Sequence, residues 1–318
     1  MAFLVPADLV RVDVTGAERA DYLQTVTSQD FSDARPGEVR GALYLDAHGA
    51  AQAIFDVVVL PDVLALLTPA ELADEIVEVL GGRTFLTDAT FTRTGDEALH
   101  LRGVAPGAGR EGDDAAEVAA AAGLDVEPGR VARGEDGLLV VAREGGSDLV
   151  GPPDVVKAAA EDLRAAGAVD GTDEDYEAWR VEAGVPVWGR EVVAPHLPEE
   201  LGLLPTHVHL AKGCYPGQEA VARMWMLGRP RKRLAVVEVA EGEVAEGATV
   251  GTGRRKAIVA SVAPDGRRAL AMVPGDVEVR ARLTDEEQGV ALEVARLVGE
   301  GLPVPGHDPA MTRRRDTR

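Results

Sequence analysis

The segment from Lys212 to Glu219 combines residue types that can do chemistry with residues that fix the backbone. It reads Lys-Gly-Cys-Tyr-Pro-Gly-Gln-Glu. Its two glycines and its proline favour one particular backbone path, and Gln218 and Glu219 begin a predicted helix, where an acid suits the helix dipole. The Lys212 ammonium could favour the thiolate form of Cys214 and so make that thiol reactive. The alternative is that Cys214 is a small buried apolar residue.

Glu182 is the second candidate, near the end of another predicted helix. Thr172 can cap a helix that begins at Asp173, and Gly184 ends it. Glu182 then sits in the last turn, at the negative end of the helix dipole, where a carboxylate costs about 0.3–1 kcal/mol. Either this carboxylate has a function, or it pairs with Arg180 or is solvated at the helix end.

A basic stretch follows the octapeptide. Residues 220–237 contain no acid, although the 318-residue chain has a net charge of -21. The stretch is therefore a candidate site for an anionic group, and the alternative is a basic linker that pairs with acids of the β-barrel predicted to follow it. The overall charge disfavours direct nucleic-acid binding. The basic residues are Arg223, Arg229, Arg231, Lys232 and Arg233.

The cysteine count and the apolar pattern limit the class of protein. Cys214 is the only cysteine, so no internal disulfide is possible, which fits a cytoplasmic protein. The N-terminus lacks the features of a signal peptide, and the most apolar run, 53–67, is broken by Asp56, Pro61 and Asp62. We expect no membrane span and a monomer.

The pair His207 and His209, on one face of a predicted strand, has no third ligand nearby, so we expect no metal site.

The predicted elements indicate an α+β fold. Strand pairs alternate with single helices, which favours antiparallel sheets, and the hairpin over 39–60 turns at residues 46–49. After Arg233 the pattern changes to short strands separated by Gly and Pro-Asp-Gly turns, which predicts a small β-barrel or sandwich. The predicted domains are an α+β region over 1–232 made of two intertwined subdomains, a barrel over 233–300 and a flexible tail over 301–318.

Two segments resemble motifs of known families. Lys212 to Glu219 resembles the K-G-C-[YF]-x-G-Q-E signature of the YgfZ family of folate-binding proteins linked to iron–sulfur clusters. Residues 180–189 resemble the R-[ILV]-E-A-G-x-x-x-[YW]-G motif that this family shares with its relative, the glycine-cleavage T-protein, an aminomethyltransferase. The resemblance implies an aminomethyltransferase-like folate-binding fold with antiparallel sheets and helices and a C-terminal β-barrel.

The resemblance also implies roles for individual residues. Glu182 matches the glutamate that holds the pterin, whose adjacent N–H and amino groups one carboxylate can accept together. Arg223 is the candidate for the anionic folate tail, and Cys214 with Lys212 forms the functional thiol and its activator. The other candidate cofactor-binding residues are Trp188, Tyr215, Gln218 and Glu219.

The chain departs from the aminomethyltransferase pattern in two places. Those enzymes carry an Asp soon after the hairpin turn, which helps to position the reactive folate nitrogen. The nearest candidate is Asp56, which comes two residues late after Gly49 and so keeps the same strand face. At residues 212–219, the cysteine-containing signature replaces the sequence that those enzymes carry. Both departures therefore favour the YgfZ family over the aminomethyltransferases.

The leading interpretation is a tetrahydrofolate-binding accessory protein that supports assembly or repair of iron–sulfur clusters in client enzymes and is indirectly linked to tRNA modification. The expected cofactor is tetrahydrofolate or a one-carbon derivative, and the expected partners are iron–sulfur client or assembly proteins. The alternative is a folate-dependent one-carbon (aminomethyl) transferase. A third possibility is a scaffold that has lost folate binding.

Overall fold

The computed structural model of the protein describes residues 1–106, 114–227, 230–253 and 255–307. The helices are α1 (Arg19–Val26), α2 (Ala70–Val79), α3 (Asp114–Ala121), α4 (Pro153–Ala165), α5 (Asp173–Ala183), α6 (Leu204–His207) and α7 (Gln218–Leu227). The strands are β1 (Phe3–Pro6), β2 (Leu9–Thr15), β3 (Val39–Leu45), β4 (Ala51–Val59), β5 (Leu64–Pro69), β6 (Thr90–Arg93), β7 (Glu97–Arg102), β8 (Val131–Arg133), β9 (Leu139–Arg143), β10 (Gly146–Gly151), β11 (Val169–Asp170), β12 (Lys232–Glu241), β13 (Thr249–Thr252), β14 (Arg255–Val262), β15 (Arg268–Pro274), β16 (Arg282–Asp285) and β17 (Val290–Leu297).

Contacts within the chain define two compact units. Unit one comprises Met1–Leu43 and Ala53–Tyr176, and unit two comprises Tyr44–Gln52 and Glu177–Arg318. The tip of the β3–β4 hairpin therefore belongs to unit two, with the second half of the chain. The predicted domain boundaries at 232 and 300 remain predictions.

Unit one contains two sheets. The first has the strand order β11-β1-β7-β10-β9-β8 and the second has the order β3-β4-β5-β2-β6. Helices α3 and α4 cover one face of the first sheet through a core that includes Leu101 and Leu163. On the other face, Leu139 and Val141 pack against β4 and β5 side chains such as Val58. Aliphatic side chains fill these cores, as expected for a chain with 4% aromatic residues.

The C-terminal strands form an antiparallel sheet with the order β13-β14-β15-β12-β17-β16. The two edge strands, β13 and β16, also contact each other, so this sheet nearly closes into a barrel. Its interior is filled by aliphatic side chains such as Val237, Val259 and Leu292. The predicted α+β class with antiparallel sheets and a C-terminal barrel is confirmed.

The sequence pattern does not predict all of the strands. Strands β5 and β10 are not predicted because their residues are buried on both faces and so lack the alternation of a half-buried strand. The sequence pattern also predicts a barrel strand over 277–283, whereas β16 begins only at Arg282, and it does not predict β17. Of the helices in the described ranges, none has both the length and the apolar character needed to cross a membrane.

Candidate functional site

The octapeptide packs against the tip of the β3–β4 hairpin. Gly217 has a φ of +80°, and a Cβ added there would lie 2.6 Å from the carbonyl oxygen of Asp46 and 3.0 Å from the Cα of Gly49. Gly49 itself has a φ of +86°, and its own Cβ would lie 3.0 Å from Ala220. Both positions therefore need glycine, for backbone conformation and for space. The hairpin tip fixes the path of the octapeptide and the start of α7.

Three predicted residues meet within the octapeptide. Lys212 is 5% exposed, and its Nζ lies 5.1 Å from the ring centroid of Tyr215, a cation–π distance. Burial raises the pKa of Tyr215 to about 12, so its hydroxyl stays protonated at neutral pH. The side-chain amide of Gln218 donates to the Lys212 carbonyl oxygen at 3.5 Å. The lysine thus neighbours an aromatic ring and supports the turn into α7.

Cys214 is exposed on this loop. The alternative interpretation, a small buried apolar residue, is therefore wrong. The contacts described for Lys212 involve Tyr215 and Gln218, so the role of Lys212 as activator of the thiol remains a prediction. An exposed thiol is accessible to a reagent or a protein partner.

Arg223 and Glu219 pair with each other. They lie one turn apart on α7, and both side chains are mostly exposed to solvent. Such a pair contributes little to stability, and the binding roles predicted for both residues remain predictions. Elsewhere in the basic stretch, Arg233 pairs with Glu300 at 3.0 Å, as the linker alternative expects for that residue. Arg229 lies outside the described residues.

Helix α5 begins and ends where the sequence predicts. The Thr172 hydroxyl accepts a bond from the Asp175 N–H at 3.2 Å, and the Asp175 carboxylate accepts one from the Thr172 N–H at 2.8 Å, which is a capping box. Gly184 follows the helix with a φ of +69°, and its N–H donates to the Val181 carbonyl. Glu182 therefore lies in the last helical turn, as predicted.

Arginines of the barrel hold Glu182. Nη1 of Arg268, on β15, donates to Glu182 Oε1, and Nη2 of the same arginine donates to Glu238 at 3.1 Å. Arg296, on β17, donates to the main-chain carbonyl of Glu182. These cations offset the unfavourable dipole at the end of α5. The expected alternative partner, Arg180, bonds instead to other residues, so that interpretation is wrong.

Arg180 belongs to a buried polar cluster. It is 1% exposed and bonds to Glu177, to Glu191 at 3.1 Å and to the Ser261 hydroxyl at 2.8 Å. Burial alone would raise the pKa of Glu177, but the bond from Arg180 holds it below its usual value. The cluster fastens the loop of Trp188, which is half-buried, to α5 and to the barrel. The arginine of the second motif is therefore structural.

Asp56 lies in unit one and forms an ion pair with Arg143 at 2.9 Å. The same arginine binds Asp148, which also contacts His100 at 2.7 Å and Arg102 at 2.5 Å. Burial would raise the pKa of Asp148, but Arg102 and Arg143 hold it well below its usual range. Burial lowers the pKa of His100. The structure places Asp56 at the edge of this network, and its predicted folate role remains a prediction.

Sequence reasoning missed this network, although a signal existed. His100 and Arg102 share one face of β7, and Asp148 lies opposite His100 on β10. Polar residues at alternating positions within otherwise apolar strands can indicate a buried ion cluster.

The strand predicted for His207 and His209 is wrong, because His207 ends α6. Among the described residues, no group of His, Cys, Asp and Glu side chains is arranged to hold a metal ion.

The start of the predicted tail contacts the region before the octapeptide. The Leu210 N–H donates to the Pro305 carbonyl at 2.9 Å. The ring of His307 meets Trp225 of α7 edge-on, with centroids 5.3 Å apart. Pro305 and His307 therefore contact residues that precede and follow the octapeptide in the sequence, Leu210 and Trp225. Residues 308–318 are outside the described part of the chain.

Comparison with known proteins identifies the fold. No family model and no curated protein matches the chain. Among solved structures, the glycine cleavage system aminomethyltransferase T from Bartonella henselae superposes with a TM-score of 0.77 at 18% identity, covering 95% of this chain and 87% of that one. The heterotetrameric sarcosine oxidase from Corynebacterium sp. U-96 matches with a TM-score of 0.34 at 16% identity over 52% of this chain and 83% of that one. The chain therefore has the fold of aminomethyltransferase T.

Proposed function

We propose that the protein binds tetrahydrofolate, or a one-carbon derivative of it, through Glu182 and supports assembly or repair of iron–sulfur clusters in client enzymes. The observation that carries the folate part is the placement of Glu182. Its half-buried carboxylate stands at a helix end that a capping glycine and two arginines fix, in a chain whose fold matches an aminomethyltransferase.

The chemistry of Glu182 suits a pterin. The pterin presents an N–H and an amino group side by side, and a carboxylate accepts two parallel donors of this kind. The carboxylate already accepts one N–H, from a planar guanidinium. A pterin at this position would be held by Glu182, and the bound folate would supply a carrier nitrogen for a one-carbon unit.

The iron–sulfur part of the proposal depends on the exposed Cys214. One thiol cannot hold a cluster alone, so client or assembly proteins must contribute the other ligands. The tight Gly217 turn and buried Lys212 present this thiol at the surface. Loss of iron–sulfur enzyme activity in cells carrying Cys214→Ser, with normal protein levels, would support this part. Unchanged activity would contradict it.

The fold favours one other function, a folate-dependent one-carbon transferase, since the matched structure is an aminomethyltransferase. Turnover of a methylene- or formyl-folate donor with a defined acceptor would favour this alternative. The first test for both is a calorimetric titration with tetrahydrofolate. We expect the wild-type protein to bind and Glu182→Ala to bind much more weakly, whereas a scaffold that has lost folate binding would give no heat with either protein.

A further inference from the structure

We propose that Arg268 is a positioning residue that orients the Glu182 carboxylate for its ligand. This inference rests on the proposed folate site. In the described part of the chain, hydrogen bonds to the carboxylate of Glu182 reach Oε1 only, and the donor is Nη1 of Arg268. This single contact restricts the carboxylate and leaves its remaining acceptor positions, on both oxygens, for the two parallel donors of a ligand. Arg268 therefore binds the Glu182 carboxylate without using all of its hydrogen-bond acceptor positions.

Arg268 is itself anchored. Its Nη2 donates to Glu238 Oε1 at 3.1 Å, so the guanidinium bridges two carboxylates. Glu238 lies opposite Arg268 in the pairing of β12 with β15, which sets the distance between them through the barrel. The planar fork of an arginine suits a bridge of this kind, and a lysine would offer only a point charge. The barrel thus determines where Arg268 points.

The main chain of Glu182 is fixed from a second strand. Arg296 donates to the Glu182 carbonyl, and its guanidinium would lie 3.0 Å from a Cβ added at Gly184. Burial lowers the pKa of Arg296, and the nearby Glu182 partly offsets this effect. One arginine therefore fixes the backbone of Glu182 and the other fixes its side chain. Preorganisation of this kind raises affinity because less freedom is lost on binding.

The test compares tetrahydrofolate binding by calorimetry in Arg268→Gln and Arg268→Lys. The Arg268 side chain is 32% exposed and that of Glu182 is 20% exposed, so we expect Arg268→Gln to weaken binding about two- to fivefold. Arg268→Lys should recover part of the loss. Glu238→Gln, which removes the negative charge of the anchor, should weaken binding in the same direction. The matched control is Arg282→Gln, a barrel arginine that pairs with Glu241, and we expect it to leave the affinity unchanged.

A double-mutant cycle separates positioning from a general structural effect. If Arg268 acts through Glu182, then Arg268→Gln has no further effect on affinity in a Glu182→Gln background. Equal losses in both backgrounds would overturn the inference, and so would tighter binding by Arg268→Gln, which would make Arg268 a competitor of the ligand. Absence of binding by the wild-type protein would instead refute the proposed function.

Discussion

Gly217 of the octapeptide lies directly against Gly49 of the hairpin tip, with the Cα of Gly49 only 3.0 Å from where a Gly217 Cβ would stand. Each glycine has a positive φ, so each turn is a conformation that other residues rarely adopt. The two turns belong to segments 168 residues apart in the sequence, yet the backbone of Gly49 leaves no room for a side chain at position 217. The cysteine loop therefore depends on the hairpin for its shape.

Gly217→Ala should destabilise the protein because the new methyl group meets the Asp46 carbonyl at 2.6 Å and the φ of +80° is strained. We expect the free energy of unfolding to fall by about 1–3 kcal/mol, measured by urea denaturation. Gly213→Ala is the matched control, since a Cβ at that position meets nothing within 4 Å. A loss for Gly217→Ala no larger than that of the control would contradict the packing described.

Arg180→Ala should cost about 3–5 kcal/mol of unfolding free energy because it leaves the buried Glu191 carboxylate without its cation. Ser261→Ala removes only a hydroxyl from the same cluster and should cost about 1 kcal/mol, which keeps the prediction measurable if Arg180→Ala does not fold. Arg164→Ala, at an exposed pair with Asp170, is the control and should cost less than about 1 kcal/mol. Similar losses for Arg180→Ala and Arg164→Ala would refute the role of the cluster.

Much of α5 and of the hairpin follows from local sequence. Thr172 and Gly184 bound the helix through contacts within a few residues, so their effect can be predicted without the fold. The partner of Glu182 is different, since Arg268 lies 86 residues away and becomes a neighbour only when the barrel forms. Strand β5 escapes prediction for a related reason: its burial on both faces depends on packing in the complete fold.

Acidification should destabilise unit one through His100 and Asp148. Folding lowers the pKa of both groups, so each binds fewer protons in the folded state and contributes stability that is lost as the pH falls. We expect the unfolding free energy to decrease from about pH 7 to 5 through His100, and further below about pH 4 through Asp148.

Urea denaturation at several pH values checks this dependence. His100→Asn should flatten the decrease between about pH 7 and 5, because the variant lacks the group that titrates there. His48→Asn, at an exposed position, should keep the wild-type dependence. If His100→Asn also keeps it, the account of the network is wrong.

Cys214 should react in the native protein, because its side chain is exposed. We expect one thiol per chain to be titrated by a disulfide reagent without denaturant, and none in Cys214→Ser. If Lys212 favours the thiolate, Lys212→Gln should slow alkylation at neutral pH, while Lys157→Gln, a lysine on α4 of unit one, should leave the rate unchanged. Equal alkylation rates in Lys212→Gln and Lys157→Gln would show that Lys212 does not activate the thiol.

The central claim is that Glu182 binds the donor edge of tetrahydrofolate, and its most direct test is calorimetric titration of the wild-type protein and of Glu182→Gln. Loss of a charge-assisted pair costs about 1.5–3 kcal/mol, so the account predicts that Kd rises roughly tenfold or more in the variant. Equal affinity of the two proteins for tetrahydrofolate would place the pterin elsewhere and contradict the account.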